Sequence, residues 1–205
     1  ETYRNHIFKS IRDLGYVTHI KLLNASNFGV PQLRPRVVIV GIRKDQYGAF
    51  AYPDDKPGSA KTVGETLYDL MAENKWAGAK RWAEQADRIA PTLVGGSKKH
   101  GGPDLGPTRA RNAWAELGID GRGIADAAPT PDFEGMPRLT SRMMARIQGF
   151  PDTWTFGSRK TVACRMIGNA FPPPVAKAVG EQIKECLAHG CADSQSKISL
   201  SRAVI

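Results

Sequence analysis

The run Gly-Asn-Ala-Phe-Pro-Pro-Pro-Val-Ala at residues 168–176 restricts the fold of this chain more than any other feature. Proline fixes φ and suits the first position of an α-helix, so we predict a Gly-Asn turn that leads into a helix starting at the prolines. One side of this helix is apolar at helical spacing: Val175, Val179, Ile183 and Leu187. A turn as stiff as this could hold the Asn169 side chain beside a ligand. The simpler alternative for this segment is the start of a helix that packs on a core.

The composition narrows the class of protein. The chain has 205 residues, 41% of them hydrophobic, which is enough for one large or two small domains with a real core. A net charge of +9 favours a polyanionic partner such as nucleic acid, without separating DNA from RNA. Three irregularly spaced cysteines suit neither a disulfide framework nor a zinc site, so we expect reduced thiols, an intracellular protein and no bound metal. We find no signal-peptide pattern and no apolar run that could span a membrane, so we expect no membrane partner.

The first part of the chain reads as the closing edge of an α/β sheet. Periodicity predicts a helix over Thr2–Leu14 that Gly15 ends, and a strand over Tyr16–Leu23. Val37–Val40 is fully apolar, which is typical of a strand buried in a sheet. A loop at residues 24–36 joins the two strands.

The middle part, residues 45–137, is rich in glycine, proline and charge. Thr62 and Glu65 predict a capping box, and further helices are expected over Ala79–Ile89 and Arg109–Leu117. The loop at residues 91–102 carries glycines and lysines that could follow a phosphate backbone closely; the alternative is a flexible solvated loop.

The last part opens with a helix that Thr140 caps, and its apolar stripe is Met143, Met144 and Ile147. This stripe indicates packing in a core rather than contact with a ligand.

Three segments resemble, in the right order, motifs of the DNA cytosine-5 methyltransferases. Gln32-x-Arg34-x-Arg36 matches the family's Gln-x-Arg-x-Arg motif, and Arg138-Leu139-Thr140 through Gln148-Gly149-Phe150-Pro151 resembles the motif that anchors its target recognition domain. Residues 168–174 resemble its last motif, which folds back on the methyl-donor site. Thr92-Leu93 matches a Thr-Leu pair of the recognition domains, and Met143 stands where many members carry an acidic residue, so a salt bridge expected there is missing.

The resemblance implies a fold class and a domain order. We expect an α/β chain with the partial edge of an S-adenosylmethionine-dependent, Rossmann-like methyltransferase domain and a small mixed α+β target recognition domain. Residues 1–44 would be the last strands of the catalytic domain and 45–160 the recognition domain with its anchoring helix. Residues 161–190 would return to the catalytic domain, and 191–205 would be a tail.

The resemblance also assigns roles to residues. To methylate C5, such an enzyme flips a cytosine out of double-stranded DNA. Residues two apart in an extended chain point the same way, so Arg34 and Arg36 should share a face. Arg36 would hold the flipped base, Arg34 would orient the reacting groups and Gln32 would brace the loop; the alternative for the arginines is a pair of surface salt bridges. Asn169 and Ala170 would line the S-adenosylmethionine pocket.

DNA contacts are expected in the middle part. The candidates are Thr92, Leu93, Lys98, Lys99, His100, Arg109 and Arg111. Arginines are common readers of guanine, whereas the same residues could contact phosphates alone.

Several family motifs do not occur in these residues. No cysteine follows a proline, as the family's nucleophile does, and neither a Phe-x-Gly-x-Gly loop nor a Glu-Asn-Val segment is present. We therefore expect the C-terminal half of a cytoplasmic, prokaryotic-type methyltransferase, either a fragment or the recognition subunit of a split enzyme, inactive without a catalytic partner. The alternatives are a stand-alone or remnant DNA-binding module and, with less support, an RNA-binding domain.

Overall fold

The computed structural model describes residues 2–95, 103–157 and 159–202, and from residue 190 onward it describes the backbone alone. Its elements in chain order are α1 (Thr2–Asp13), β1 (Tyr16–Asn24), β2 (Pro35–Arg43), α2 (Val63–Met71), α3 (Ala79–Gln85), α4 (Thr108–Ala115), α5 (Ser141–Ile147), α6 (Lys160–Asn169) and α7 (Pro173–Arg202). Contacts divide the described chain into two compact units. The strand unit comprises residues 2–23, 35–55 and 176–202, and the helical unit comprises the described residues of 24–34 and 56–175.

In the strand unit, β1 and β2 form a two-stranded sheet. Alternate strand residues point to opposite faces, and one face is buried through Leu23, Val40 and Ile42. Tyr52 fastens this unit, since its hydroxyl donates to the carbonyls of His19 at 3.0 Å and Val38 at 2.8 Å.

The other face of the sheet is apolar but exposed, which corrects the expectation of a strand buried on both sides at Val37–Val40. Its side chains are 43–62% exposed: Ile20, Leu22, Val37 and Ile39. An unbroken apolar run favours burial of both faces, whereas in this structure only the face of Leu23, Val40 and Ile42 is buried.

The helical unit buries one hydrophobic core, built around Trp114, Leu67, Met144 and Ile147, all of them inaccessible to solvent. Helix α2 lies so close to α3 that a Cβ atom added at Gly64 would be 2.0 Å from the Ala83 carbonyl oxygen. The β1–β2 sheet belongs to the strand unit, and in the described part of the helical unit strand pairing is limited to two isolated bridges. The mixed α+β expectation for the recognition domain is therefore wrong for these residues.

Both predicted helix caps are present. Thr62 and Glu65 form a capping box, with the Thr62 N–H donating to Glu65 Oε2 at 2.8 Å and the Glu65 N–H to Thr62 Oγ1 at 3.2 Å. At α5, Thr140 accepts from the Met143 N–H at 3.2 Å, and the Thr140 N–H approaches Met143 Sδ at 3.4 Å. The thioether thus occupies the place of the capping carboxylate, and it leaves no buried charge.

Several boundaries differ from the expectations. Helix α3 ends at Gln85 rather than Ile89, and α4 covers Thr108–Ala115 rather than Arg109–Leu117. The predicted turn at Gly168 and Asn169 is wrong, because both residues end α6; the proline start of α7 is confirmed. The Gln32–Arg34 loop also belongs to the helical unit rather than to the strands, since its side chains bond to residues of that unit.

Candidate functional site

The loop between β1 and β2 carries the first motif and is held by its own backbone. The Arg34 N–H donates to Asn24 Oδ1 at 3.1 Å, and the Ala25 N–H donates to the Arg34 carbonyl at 3.1 Å. Main-chain bonds then tie the loop to a distant segment, with Leu33 N–H donating to Ala90 O at 2.8 Å and Ala90 N–H to Pro31 O at 3.0 Å. Hydrogen bonds of its main-chain groups therefore hold the loop in place.

Arg34 reaches two further segments from this loop. Its side chain is almost fully buried, and Nη1 donates to the Leu93 carbonyl at 2.7 Å while Nη2 donates to the Gly168 carbonyl at 2.6 Å. Arg36 is instead exposed and donates to its neighbour's carbonyl, that of Pro35, at 2.8 Å. The two guanidiniums therefore do not share an environment, because regular strand geometry starts only at Pro35.

Gln32 connects the loop to two other segments through its side-chain amide. Its Oε1 accepts from the Leu93 N–H at 2.8 Å, and its Nε2 donates to Gln148 Oε1 at 2.7 Å. Gln148 in turn donates from Nε2 to the Ala170 carbonyl at 2.6 Å. Both glutamines are completely buried, so hydrogen bonds satisfy amides that could not otherwise be accommodated in a core.

Sequence reasoning placed Gln148 in the anchoring motif but gave its side chain no role. The signal was present, because Gln148 follows Met144 at helical spacing and so falls on the buried stripe of α5. A glutamine at such a position must find partners inside the protein.

The Thr92-Leu93 pair anchors its segment to the first motif. Thr92 Oγ1 donates to the Leu33 carbonyl, and the Leu93 side chain is fully buried. This corrects the expectation that Leu93 contacts DNA, because its side chain belongs to the core and its backbone groups are bonded to Gln32 and Arg34. A DNA contact by half-buried Thr92 stays a prediction.

Backbones meet closely beside Asn169. A Cβ atom added at Gly168 would be 2.5 Å from the Gly95 nitrogen, and one added at Gly95 would be 2.5 Å from Asn169 Oδ1. Only glycine fits at either position without movement. Asn169 itself is exposed at the end of α6, and its amide group lies against Gly95.

Two described cysteines are unsuited to nucleophilic chemistry. Cys164 is buried next to Met144, at 3.6 Å between sulfurs, and burial raises the pKa of its thiol. Cys186 is buried in the strand unit and donates to the Gly48 carbonyl at 3.3 Å. Neither presents a thiolate to a substrate.

The remaining DNA-contact candidates are spread along the chain. Lys98, Lys99 and His100 lie outside the described residues. On α4, Arg109 is exposed, while Arg111 is half-buried, with its Nη2 donating to Thr108 Oγ1 at 3.3 Å. Both arginines belong to the same short helix, and their DNA contacts stay predictions.

The described residues contain neither a group of metal ligands nor a helix suited to a membrane. Among the side chains described, no three His, Cys, Asp or Glu residues are grouped as a metal site would need. Within the described helices, none combines the length and apolar character needed to cross a bilayer.

A family profile, described as C-5 cytosine-specific DNA methylase, matches residues 1–185. Type II methyltransferase M.NaeI of Lentzea aerocolonigenes is 57% identical over 188 residues, which cover 90% of this chain and 45% of that protein. Type II methyltransferase M.NgoMIV of Neisseria gonorrhoeae is 48% identical over 190 residues, 91% of this chain and 60% of that protein. The chain thus spans about half the length of these relatives.

Solved structures share the fold at low identity. The S. pombe Dnmt2 methyltransferase superposes with a TM-score of 0.55 at 17% identity, covering 90% of this chain and 63% of that one. A Spodoptera frugiperda DNMT2 mutant gives 0.52 at 14% identity, covering 90% and 62%.

Proposed function

Because the chain belongs to the C-5 cytosine-specific DNA methylases, we propose that it supplies the DNA-recognition part and one side of the active site of a sequence-specific DNA cytosine-5 methyltransferase. The observation that carries this proposal is the buried network of Gln32, Arg34 and Gln148, which joins the segments of all the family-like motifs within one unit. Residues far apart in sequence are thereby held at one place.

In the first motif, exposed Arg36 has a different role from buried Arg34 and Gln32. Arg36 is free to meet a ligand and holds the flipped cytosine or the adjacent phosphate through charge-assisted hydrogen bonds. Arg34 and Gln32 act through the protein: they orient the reacting groups by holding the backbone at Leu93 and at Gly168.

The residues present fit one wall of an S-adenosylmethionine site. Asn169 is an exposed residue whose side chain is held against Gly95, and its amide can bind the polar parts of the cofactor. The Ala170 carbonyl already accepts from Gln148 and Arg34, so Ala170 offers the cofactor only its methyl surface. When bound, S-adenosylmethionine supplies the methyl group for transfer.

The nucleophile and the rest of the cofactor pocket come from a catalytic part outside these 205 residues. Both described buried cysteines are unsuitable, and Pro-Cys and Phe-x-Gly-x-Gly are not in the sequence. The exposed apolar face of the β1–β2 sheet is where this catalytic part packs, because four adjoining apolar side chains gain by leaving water.

The partner is double-stranded DNA, and the place of action is the cytoplasm of a prokaryote. A formal charge of +9 gives a salt-dependent attraction to the backbone. A paired restriction enzyme fits this role, since the similar proteins are named Type II methyltransferases.

A chimera tests the proposal. The part of M.NaeI that this chain does not match is joined to this chain, and methyl transfer from labelled S-adenosylmethionine to DNA is measured. We expect transfer by the chimera and none by the chain alone. A matched chimera with Asn169→Ala should bind S-adenosylmethionine about tenfold more weakly while binding DNA as before.

The alternative is a DNA-binding module without a methylation role, for which the high positive charge is the supporting observation. A chimera that is folded and binds DNA, yet transfers no methyl group to any duplex, would favour this alternative. Transfer by the chain alone would contradict the need for a catalytic part.

We assign the reading of bases to α4, and substitutions on this helix test the assignment. Arg109→Ala or Arg111→Ala should relax the choice of base, at about 1–3 kcal/mol for each lost guanine contact, whereas Lys98→Ala should weaken binding to every duplex alike. Affinities for matched and mismatched duplexes at several salt concentrations measure this. Equal losses on all duplexes for both kinds of variant would show phosphate contacts only.

A further inference from the structure

We infer that Gln148 is a positioning residue, which fixes the backbone at Asn169 and Ala170 and so sets the affinity for S-adenosylmethionine. This inference rests on the proposed function for its link to the cofactor. It starts from a closed ring of hydrogen bonds made by the side chains of Arg34, Gln32 and Gln148 and the main-chain carbonyl of Ala170.

Both arms of the ring start at the Arg34 guanidinium and end at the Ala170 carbonyl. Arg34 Nη1 donates to Gln32 Oε1 at 3.4 Å, and Gln32 Nε2 donates to Gln148 Oε1 at 2.7 Å. Gln148 Nε2 then donates to the Ala170 carbonyl at 2.6 Å, and Arg34 Nη2 closes the ring on the same carbonyl at 3.4 Å.

Only one orientation of the two amides satisfies every member. The Ala170 carbonyl can only accept, so Gln148 must turn its NH₂ group toward it and its oxygen toward Gln32. The Leu93 N–H and Arg34 both donate to Gln32 Oε1, so Gln32 must turn its NH₂ group toward Gln148. Flipping either amide would place two donors or two acceptors face to face.

Burial makes this orientation persistent. Gln32 and Gln148 are both 0% exposed, so water cannot replace a lost bond. An apolar side chain of similar size would fill the space at a lower desolvation cost, but it would give the Ala170 carbonyl no direction. The glutamine therefore contributes position rather than volume.

The ring and a close backbone contact hold Asn169 from two sides. The Ala170 carbonyl, one residue beyond Asn169, is pinned by Gln148, while Gly95 lies against the Asn169 amide with no room for a Cβ atom. Gln148 directly follows α5, and α5 packs on α2 of the recognition part. A shift of α5 thus reaches Asn169 through Gln148.

Two variants test the inference, and the first readout needs no cofactor. In the chain alone, the Ala170 N–H, which donates to the Ile167 carbonyl at 3.2 Å, reports on this backbone through its hydrogen-exchange protection. Gln148→Leu should lower that protection about tenfold. Gln148→Glu should lower it at pH 8 and restore it toward pH 5, where a protonated carboxyl group again donates to the Ala170 carbonyl.

The second readout is cofactor affinity in the chimera described above. Both variants should raise the dissociation constant for S-adenosylmethionine about tenfold at pH 8 and change that for DNA less than twofold. The matched controls are Gln85→Leu and Gln85→Glu at an exposed position of α3, and they should change neither quantity.

Each outcome is decisive. Unchanged Ala170 protection in a folded Gln148→Leu variant, or in Gln148→Glu at a pH where its carboxyl group is ionised, would overturn the positioning role. Reduced protection with unchanged cofactor affinity would overturn the link to the cofactor. An unmodified chimera that binds no S-adenosylmethionine would instead overturn the proposed function, while the exchange measurement still decides the positioning role.

Discussion

At Arg34, a single guanidinium supports three stretches of backbone, which is why its loss should be felt throughout the helical unit. Lysine carries its three N–H donors on a single nitrogen, so it lacks the two separate nitrogens from which Arg34 reaches the carbonyls of Leu93 and Gly168. We expect Arg34→Lys to lower the free energy of unfolding by about 3 kcal/mol, since buried acceptors lose their donors. Arg36→Lys is the matched control on an exposed arginine and should change it by less than about 0.5 kcal/mol. Urea unfolding of both variants measures the difference, and similar losses would contradict this role.

Single residues also show where sequence reasoning stops. The family-like motifs drew attention to Gln32, Arg34 and Asn169. Spacing, however, predicted that Arg34 and Arg36 share a face, which they do not. Which arginine is buried depends on where the carbonyls of distant segments lie, and no local pattern encodes that. Leu93 was assigned to DNA because it matches the Thr-Leu pair of the recognition domains, although its side chain belongs to the core.

At the level of elements, helices α2 and α3 approach each other closely at Gly64. Among the described glycines, Gly64 has the least room for a Cβ atom. A Cβ atom at Gly64 would be 2.0 Å from backbone, so the helices must separate. We expect Gly64→Ala to destabilise the protein by about 3 kcal/mol through overpacking. Gly180→Ala, in an open position of α7, should stabilise it by about 0.5–1 kcal/mol instead. Unfolding midpoints in urea test the contrast, and equal shifts would show that α2 and α3 yield easily.

Ion pairs of Arg146 hold the end of α5, so the free energy of unfolding should depend on pH. Arg146 donates to both carboxylate oxygens of Asp152 and to Asp69, and these hydrogen bonds hold the pKa of Asp152 below its usual value. A carboxyl group with a lowered folded pKa stabilises the protein above its unfolded pKa of about 3.9, and this contribution is lost as the pH falls through the folded value. Asp152→Asn should therefore be less stable than the parent at pH 7 and nearly equal to it at pH 2. Asp126→Asn removes a highly exposed partner of Lys160 and should have little effect. A constant gap for Asp152→Asn across this range would contradict the ionic origin.

Most elements could be predicted because their signals are local. The caps at Thr62 and Thr140 and the proline start of α7 depend on residues within one turn of each other. The end of α6 was missed because glycine and asparagine favour a turn, but each costs no more than about 1 kcal/mol within a helix, and packing against Gly95 outweighs this cost. Helix ends such as that of α3 carry even less local information.

For the whole molecule, the exposed face of the β1–β2 sheet decides how the chain behaves by itself and in a larger enzyme. Leu22 and Val37 are 62% and 60% exposed on an apolar surface, so the isolated chain should self-associate through it. Replacing both residues by lysine should reduce self-association in sedimentation experiments at least fivefold while leaving the circular dichroism spectrum unchanged. In the chimera, the same pair should impair methyl transfer at least tenfold, because two charges would be buried where the catalytic part packs. Tyr68→Lys with Met136→Lys adds the same charge at exposed apolar positions of the helical unit and should do neither. An active chimera that carries the Leu22 and Val37 substitutions would show that this face is not covered in the enzyme.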